Sequence, residues 1–559
     1  MVLAVSVMVR HVTDDPVRAL TLAWRALPAP MRGWVRFAGR YGRAAALWGG
    51  GDRRAALTAL EARPARLAAF SLAVDQPQVA RSALARLPDD SGARPRLAAL
   101  LAYREGRLSD AVRELEHAPG WRAARLRRTL RAETEMLDPG RLKAPDMTVD
   151  PVPGTILHIV TDALPATSAG YTIRTQEIAV AQRAAGLDPH VVTRIGFPVT
   201  AGAIDGRPLV TVNKVPYHRL LPWIMPGRMD TIATANLNRA ARLVTDVKPS
   251  VLHAASNYSN ALIALALRDA TRIPVVYEVR GFWEDTWLSR HAAAATAVDL
   301  RQSDRYTRTR ALETHCMAAA DLVVTLGEAM RDEIAERGID PRHIVIVPNG
   351  VSDEFLQPLP DDRGKLKKDL GIKDGEHVVG LVSSLVAHEG IGTLLEAVRI
   401  LNDRGMPTRP LIVGDGPERG ALQRQAAALG LDAIFTGRVP VARVRDYHAV
   451  LDVFVVPRTP DRVCQLVTPL KPVEAMASGL PVVVSAVRAL GEIVRDKVTG
   501  LQFPPLDAAA LADALQLLLD SPELRRKLGD NAREWVARDR TWAHNAARYR
   551  AAYARLGAL

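Results

Sequence analysis

The sequence predicts an α/β protein: two doubly wound domains of parallel sheet, preceded by an all-α region of repeat-like helices. Three observations carry this. The chain has 559 residues, too many for one hydrophobic core and enough for about three domains. From Thr155 onward, short apolar runs alternate with helical stretches, the rhythm of βαβ units. Before Thr155 no such strand occurs, and Ala/Leu/Arg helices follow one another between Gly or Pro breaks.

The helical part runs from about Asp14 to Leu137. ALLAYREGRLSDAVRELE (99–116) sets small residues at close-packing positions and Gly106 between two helices, and AALWGGGDRRAALTALE (45–61) has the same form. This predicts tetratricopeptide-like hairpins over residues 1–140. They serve either as a docking surface or as a helical cap packed on the next domain. Residues 141–154, rich in proline and without periodicity, are expected to be a linker. ILHIVTD, HVVTRI, VLHAA, PVVYEVR and DLVVTLG supply strands of a domain over 155–347, and IVIVPNG closes it. HVVGLVSS, PLIVGDG, AIFTGRV, VFVVP and PVVVSA supply those of a second domain over 348–530. Residues 531–559 form a closing helix.

Composition narrows the function classes. Apolar content of 48% and charged content of 24% are globular values, which excludes wholesale disorder. The net charge of +13 is uneven: residues 1–140 hold 23 Arg, no Lys and 14 acidic residues, so nine of the thirteen charges lie there. Solvated helix faces written with Arg explain this, and contact with an anionic membrane or an acidic protein partner is the second reading. Nucleic acid is not expected as a partner, because no aromatics interleave with the basic residues. Cys316 and Cys464 make neither a disulfide framework nor a zinc site. MVLAVSVMV is a poor signal peptide, and no apolar run approaches the ~20 residues of a membrane span. A cytoplasmic protein is expected, at most peripheral at the inner face of the cell membrane.

The most informative stretch is Leu451–Gly500. It reads as a strand, a long polar loop, a short helix opening at Pro472, a stop at Gly479, and a strand at Pro481–Ser485. Open α/β sheets bind ligands at the carboxyl ends of their strands, where free N–H groups favour phosphate. Arg458, Thr468 and Lys471 bring donors and positive charge there, and Glu474 on the first helical turn can take two ribose hydroxyls. TSAGYT (167–172) is a second such loop, in which Gly170 permits close backbone approach. EVRGFWEDTW joins Arg280 and Glu284 to Glu278, Asp285 and two tryptophans, suited either to sugar stacking and hydroxyl recognition or to structural ion pairing.

TPLKPVEAMASGLPVVVS (468–485) resembles the donor-site signature of retaining glycosyltransferases of family 4, whose GT-B architecture has two Rossmann-like domains facing each other. ILHIVTDALPATSAGYTIRTQEIAVAQRAAGL, VVYEVRGFWEDTW, ALETHCMAAADLVVTLGEAMRDEIAERGI, IVIVPNGV, LIVGDGPERGALQ and IFTGRVP continue the resemblance in family order from Thr155 to Leu559. It implies a nucleotide-diphospho-sugar donor, UDP expected ahead of GDP, and a glycan or lipid-linked acceptor of the cell envelope or of an exopolysaccharide. It also implies no cofactor, no metal, and a last helix crossing back to the first domain. Arg458, Lys471 and Glu474 would be catalytic. Gly170, Ser384, Gly437, Val439, Thr468, Leu470 and Glu474 would hold the donor, with Gly437 and Val439 offering backbone groups to the base. Tyr171, Arg174, His253, Asn257, Arg280 and Glu284 would line the acceptor side, though His253 also suits a satisfied strand-end histidine.

The sequence departs from the family at four positions. A Glu that holds the donor hexose in relatives is Leu466 here, and a sugar-contacting histidine is Ala255. The Arg and Lys of the loop after the first C-domain strand are Ser384 and Glu389. Arg458 and Lys471 are expected to replace that pair, since leaving-group stabilisation needs positive charge by the diphosphate whichever loop delivers it. The leading expectation is a hexosyltransferase. A catalytically weak scaffold that recruits polysaccharide-assembly partners is the second, and another GT-B enzyme such as an epimerase or phosphorylase the third.

Overall fold

The computed structural model describes residues 2–14, 19, 41–291, 299–360 and 363–559, with the backbone alone for 10–14. Apart from residue 19, the helices expected over 15–40 lie outside the described residues. Eight strands form the first sheet: β1 (Val152–Val160), β2 (Asp188–Thr193), β3 (Leu209–Val212), β4 (Val215–Arg219), β5 (Pro249–Ala255), β6 (Val275–Val279), β7 (Leu322–Thr325) and β8 (Ile344–Ile346). Six form the second: β9 (His377–Val382), β10 (Thr408–Val413), β11 (Ile434–Gly437), β12 (Val453–Val456), β13 (Val482–Ser485) and β14 (Leu501–Phe503), in the order β11-β10-β9-β12-β13-β14. Apart from the β3–β4 hairpin the described pairings are parallel. The expected α/β class with two doubly wound sheets is therefore the one observed.

The chain divides into two compact units. The first comprises residues 1–167, 190–275 and 282–320; the second, 168–189, 276–281 and 321–559. Within the first unit β1 runs beside β5, with His158 opposite His253. β1 starts at Val152, three residues before the expected domain boundary, because Val152 N–H bonds to the Lys248 carbonyl at 2.8 Å. Local composition read this segment as linker; a tertiary partner extended the strand.

The helical region of the first unit is a series of short helices from Gly42–Gly49 to Trp121–Glu135. Ala56, Phe70, Ala80 and Leu97 form its core. It is held to the Asp304–Ala319 helix by many polar contacts. The Asp304 carboxylate accepts the Leu108 and Ser109 N–H groups at 2.6 and 2.7 Å, and Gly106 O accepts the Arg305 N–H at 2.9 Å. Arg305 and Tyr103 both bond Glu133 at 2.6 Å, with the guanidinium 4.7 Å from the Tyr103 ring centre. Of the two readings of this region, these contacts favour the packed cap. Gly106 sits at φ +77°, and a Cβ there would lie 2.6 Å from Ser303 Oγ and 2.8 Å from the Trp287 ring. Gly106→Ala is expected to destabilise the protein by ~1–3 kcal/mol, read as a lower thermal midpoint.

In the second unit, valines and leucines of β9, β10, β12 and β13 pack on both faces of the sheet, as buried parallel strands must. The closing helices run Pro522–Asp539 and Trp542–Ala554. Trp542–Ala554 packs on the Gly170–Ala184 helix, where Gln182 donates to Tyr553 Oη at 2.9 Å and Arg550 to Ala185 O at 2.8 Å. Among the described residues no helix is long and apolar enough to cross a membrane.

Candidate functional site

β9 and β12 are parallel neighbours, with Val379 opposite Val453, so the residues just beyond both strands emerge at one edge of the sheet. Ser383 and Glu389 follow β9; Arg458 follows β12, and Lys471 opens the Lys471–Ala477 helix farther along the same loop. The two loops are joined through backbone. Thr459 N–H bonds to His388 O at 3.1 Å, and Gly390, at φ +66°, comes so close to Pro457 O that any Cβ would overlap it. That approach brings the Ser383, Glu389, Arg458 and Lys471 side chains together.

Lys471 Nζ donates to Ser383 Oγ at 2.7 Å. Arg458 donates from Nη2 to Glu389 Oε1 and from Nη1 to Val467 O, each at 3.0 Å. Both members of the Arg458–Glu389 pair are buried. Burial by itself would raise the Glu389 carboxyl, but the Arg458 and Lys471 charges outweigh it and hold the group at about 2. Burial pulls the Lys471 ammonium below its usual range, opposed by Glu389 and reinforced by Arg458. The expectation of two cations free for a diphosphate is thus corrected in part: the Glu389 carboxylate pairs with Arg458. Lys471 has a hydroxyl partner, Ser383, while Ser384, expected to help hold the donor, is exposed. Glu389 standing at a cation position, with an extra Arg elsewhere, was the signal in the sequence for this exchange of partners.

Glu474 lies one turn beyond Lys471. Burial raises its carboxyl to about 7, Lys471 opposing and Glu177 of the Gly170–Ala184 helix adding to the rise. Glu177, missed at the level of sequence, is itself raised by burial and by Glu354. With the folded value above the ordinary 4.5, the folded state holds this proton more tightly. Glu474 therefore takes away stability progressively as pH rises from the ordinary value through about 7, and nothing below it. Glu474→Gln is expected to raise the thermal midpoint by several degrees at pH 8 and to leave it nearly unchanged at pH 4.

Thr468 is buried; its carbonyl accepts Asn349 Nδ2 at 2.9 Å, and its Oγ1 has no partner among the described residues. Leu470 precedes the Lys471–Ala477 helix as its N-cap. Leu466, the expected departure from the family at the hexose-binding position, is buried. Gly437 ends β11 at φ +75°, its carbonyl bonded to Gly414 N–H at 3.0 Å, and Val439 beyond it is half-buried. Cys464 is buried and its thiol is pushed up to about 11 by burial, against the lowering effect of Arg458, so it is inert.

Also in the second unit, Gly170 opens the Gly170–Ala184 helix with free space where a Cβ would stand, and Tyr171 is 44% exposed. Arg174, expected on the acceptor side, is instead buried at the centre of a structural network. It meets Glu278 Oε1 at 2.7 Å, Val347 O at 2.7 Å, Pro348 O at 3.0 Å and Asn349 Oδ1 at 3.2 Å. Arg280 binds Glu278 Oε2 and Tyr171 O at 2.8 Å and Thr175 Oγ1 at 2.7 Å. For Arg280 the ion-pairing alternative is the one observed.

In the first unit, His253 is a core residue of β5 whose ring lies 4.6 Å from that of His158, which corrects its place among acceptor-lining groups. Glu284 is likewise buried, with Arg310 Nη1 at 3.9 Å. Asn257 caps the Tyr258–Thr271 helix through Oδ1 to Ser259 N–H at 3.0 Å and lines a cavity. No group of His, Cys, Asp and Glu suited to a metal occurs among the described residues.

Comparison with known proteins agrees with this layout. Residues 169–350 match the glycosyl transferase 4-like domain and residues 362–535 the glycosyl transferases group 1 family. The 2-deoxystreptamine glucosyltransferase of Streptomyces kanamyceticus is 31% identical over 246 residues, 42% of this chain and 61% of the relative. The GDP-mannose-dependent alpha-(1-6)-phosphatidylinositol monomannoside mannosyltransferase of Mycolicibacterium smegmatis is 31% identical over 233 residues, 41% of this chain and 61% of the relative. The chain thus spans about three fifths of the length of each. Sucrose-phosphate synthase from Thermosynechococcus elongatus superposes with a TM-score of 0.58 at 21% identity, covering 72% of this chain and 99% of that one, which shows a shared GT-B fold. The sheet order and both matches together give this chain the GT-B fold, with one domain similar to the glycosyl transferase 4-like domain and one similar to the glycosyl transferases group 1 family.

Proposed function

We propose that the protein is a retaining, metal-independent glycosyltransferase that moves a hexose-type sugar from a nucleotide-diphospho-sugar to a cell-envelope or exopolysaccharide glycan. The observation that carries this is the edge cluster, in which Lys471 stands on Ser383 with Glu474 one turn away. Lys471 supplies the positive charge that a departing diphosphate needs, and the Glu474 carboxylate accepts hydrogen bonds from the ribose hydroxyls, its proton released to water as those donors stabilise the ionised form. Gly437 and Val439 offer main chain to the base, and a UDP-sugar is expected ahead of a GDP-sugar. In the retaining mechanism of this family the departing phosphate receives the acceptor proton on the same face, so no protein base is required. The two relatives named above, one acting on an aminocyclitol and one on a phosphatidylinositol mannoside by their names, support a polar or lipid-linked acceptor. The protein would work in the cytoplasm, at the inner face of the cell membrane when its acceptor is a lipid. Calorimetric titration with UDP, GDP, ADP and their sugars, followed by a transfer assay with the tightest binder, tests the reading. Nucleotide binding with turnover is expected; no binding at millimolar concentration would overturn it.

One observation favours the second reading, a catalytically weak scaffold that recruits assembly partners through its tetratricopeptide-like N-terminus. The pairing of Arg458 with Glu389 removes one of the two cations on which transfer would depend. Nucleotide binding without transfer to any acceptor would decide for it.

A further inference from the structure

The first unit contains a cavity of about 330 Å³, within the size range of small-molecule sites. It is walled by the Met229–Val247 and Tyr258–Thr271 helices and, on one side, by the cap through Met136 and Leu142. Its apolar wall is aliphatic and flexible: Met136, Met225, Met229, Ile232, Leu262 and Ile263. Methionines of this kind adapt to a flexible chain and not only to one rigid shape. Of its polar groups, Thr161, Arg194 and Asn257 follow β1, β2 and β5 at their carboxyl ends, and Glu133, Asn236, Tyr258, Ser259 and Asn260 complete the polar lining.

Most of these polar groups are already engaged, Glu133 with Tyr103 and Arg305. Arg194 donates to Asp162 at 3.0 Å and to Thr200 at 2.8 Å, Asn260 Nδ2 donates to Thr161 at 3.1 Å, and Asn257 caps its helix. The cavity therefore offers mainly burial of apolar surface, where a sugar or a phosphate would require charge and more hydrogen bonds. The wall continues to an exposed apolar surface. Met225 follows Trp223 and Ile224, which are 84% and 66% exposed. The Met225 N–H meets Ser6 Oγ of the Val2–Asp14 helix at 3.4 Å, and that helix exposes Val2, Val5, Met8 and Val9. A Trp-bearing apolar surface of this kind suits the interfacial layer of a bilayer.

We propose that this cavity, completed by the N-terminal cap, binds the aliphatic chain of a membrane amphiphile that enters from the Trp223–Val5 surface. The site agrees with a lipid-linked acceptor but does not depend on transfer, because chain binding is measured without donor. Failure of the transferase reading and failure of this one are thereby separate results. The test titrates the full chain with lysophosphatidylglycerols of increasing acyl length below their micellar concentrations, using displacement of a dansyl-labelled fatty acid. One saturable equivalent is expected, tightening about fourfold per added methylene until the cavity is filled. Ala233→Trp and Met136→Trp, which fill it from opposite walls, are each expected to weaken binding at least tenfold while nucleotide binding stays unchanged. No saturable binding to the wild-type chain, affinity independent of acyl length, or undiminished affinity in a folded cavity-filling variant would each overturn the proposal. So would attachment to phosphatidylglycerol vesicles without any lysolipid binding, which would leave the lipid on the surface alone.

Discussion

Lys471→Ala is expected to lower kcat by ~10²–10³-fold, the usual scale for removing one donor that stabilises developing charge. Lys471 reaches from the first turn of its helix to Ser383 across the loop after β9, and its partner there is an uncharged hydroxyl. Burial holds its ammonium below the usual lysine range, so an incoming diphosphate, which favours the charged form, gains from the contact. Arg458 cannot take over, because Glu389 and the Val467 carbonyl occupy its guanidinium. The same substitution is expected to weaken nucleotide binding less than it lowers turnover, since the charge to be stabilised is greatest as the sugar departs. Steady-state rates with the donor identified by titration check this, and an unchanged kcat would sink the assignment. Arg458→Ala makes the contrast. Its main effect should be on stability, because it leaves a buried carboxylate without its cation.

The second large effect concerns the fold. Glu278→Ala is expected to destabilise the protein by ~3–5 kcal/mol, the cost of breaking a buried ion pair by removing one partner. Glu278 is fully buried between Arg174 and Arg280 and accepts the Tyr549 hydroxyl at 3.0 Å. Its removal leaves two guanidiniums facing each other with backbone carbonyls as the main remaining acceptors. Because Arg174 comes from the Gly170–Ala184 helix, Glu278 from β6 and Tyr549 from the Trp542–Ala554 helix, one carboxylate ties together three segments far apart in sequence. Urea denaturation followed by circular dichroism reads the loss. Glu278→Gln, which keeps an acceptor in place, should be milder than Ala, and a Glu278→Ala midpoint equal to that of the wild type would refute the role given to the network.

How much of the site was legible in the sequence depends on the kind of information. Glu474 was legible because a carboxylate on a helix after a parallel strand is fixed by local order alone. Its value near 7 was not, since Glu177 and the burying side chains come from a segment some three hundred residues away. Lys471 was legible as a cation, but its partner Ser383, one residue before the Ser384 expected to help hold the donor, was not. Successive residues leaving a strand point opposite ways, and only the register of β9 against β12 says which one faces the loop. Arg174, Arg280 and His253 looked functional because charged and aromatic residues beside a glycine suit sugar binding. The structure spends all three on packing, for a buried Arg requires carboxylate and carbonyl partners and a strand histidine can stack on its register neighbour.

The sequence by itself determined the α/β class, the two sheets and the loop of Lys471 and Glu474, because period, strand length and residue order are local properties of the chain. Only the tertiary structure decided which cation remains available, which arginines are structural, and that the helical region is a cap walling a cavity. Each of these depends on partners brought together by folding, and a buried charge acquires its role from the groups that surround it.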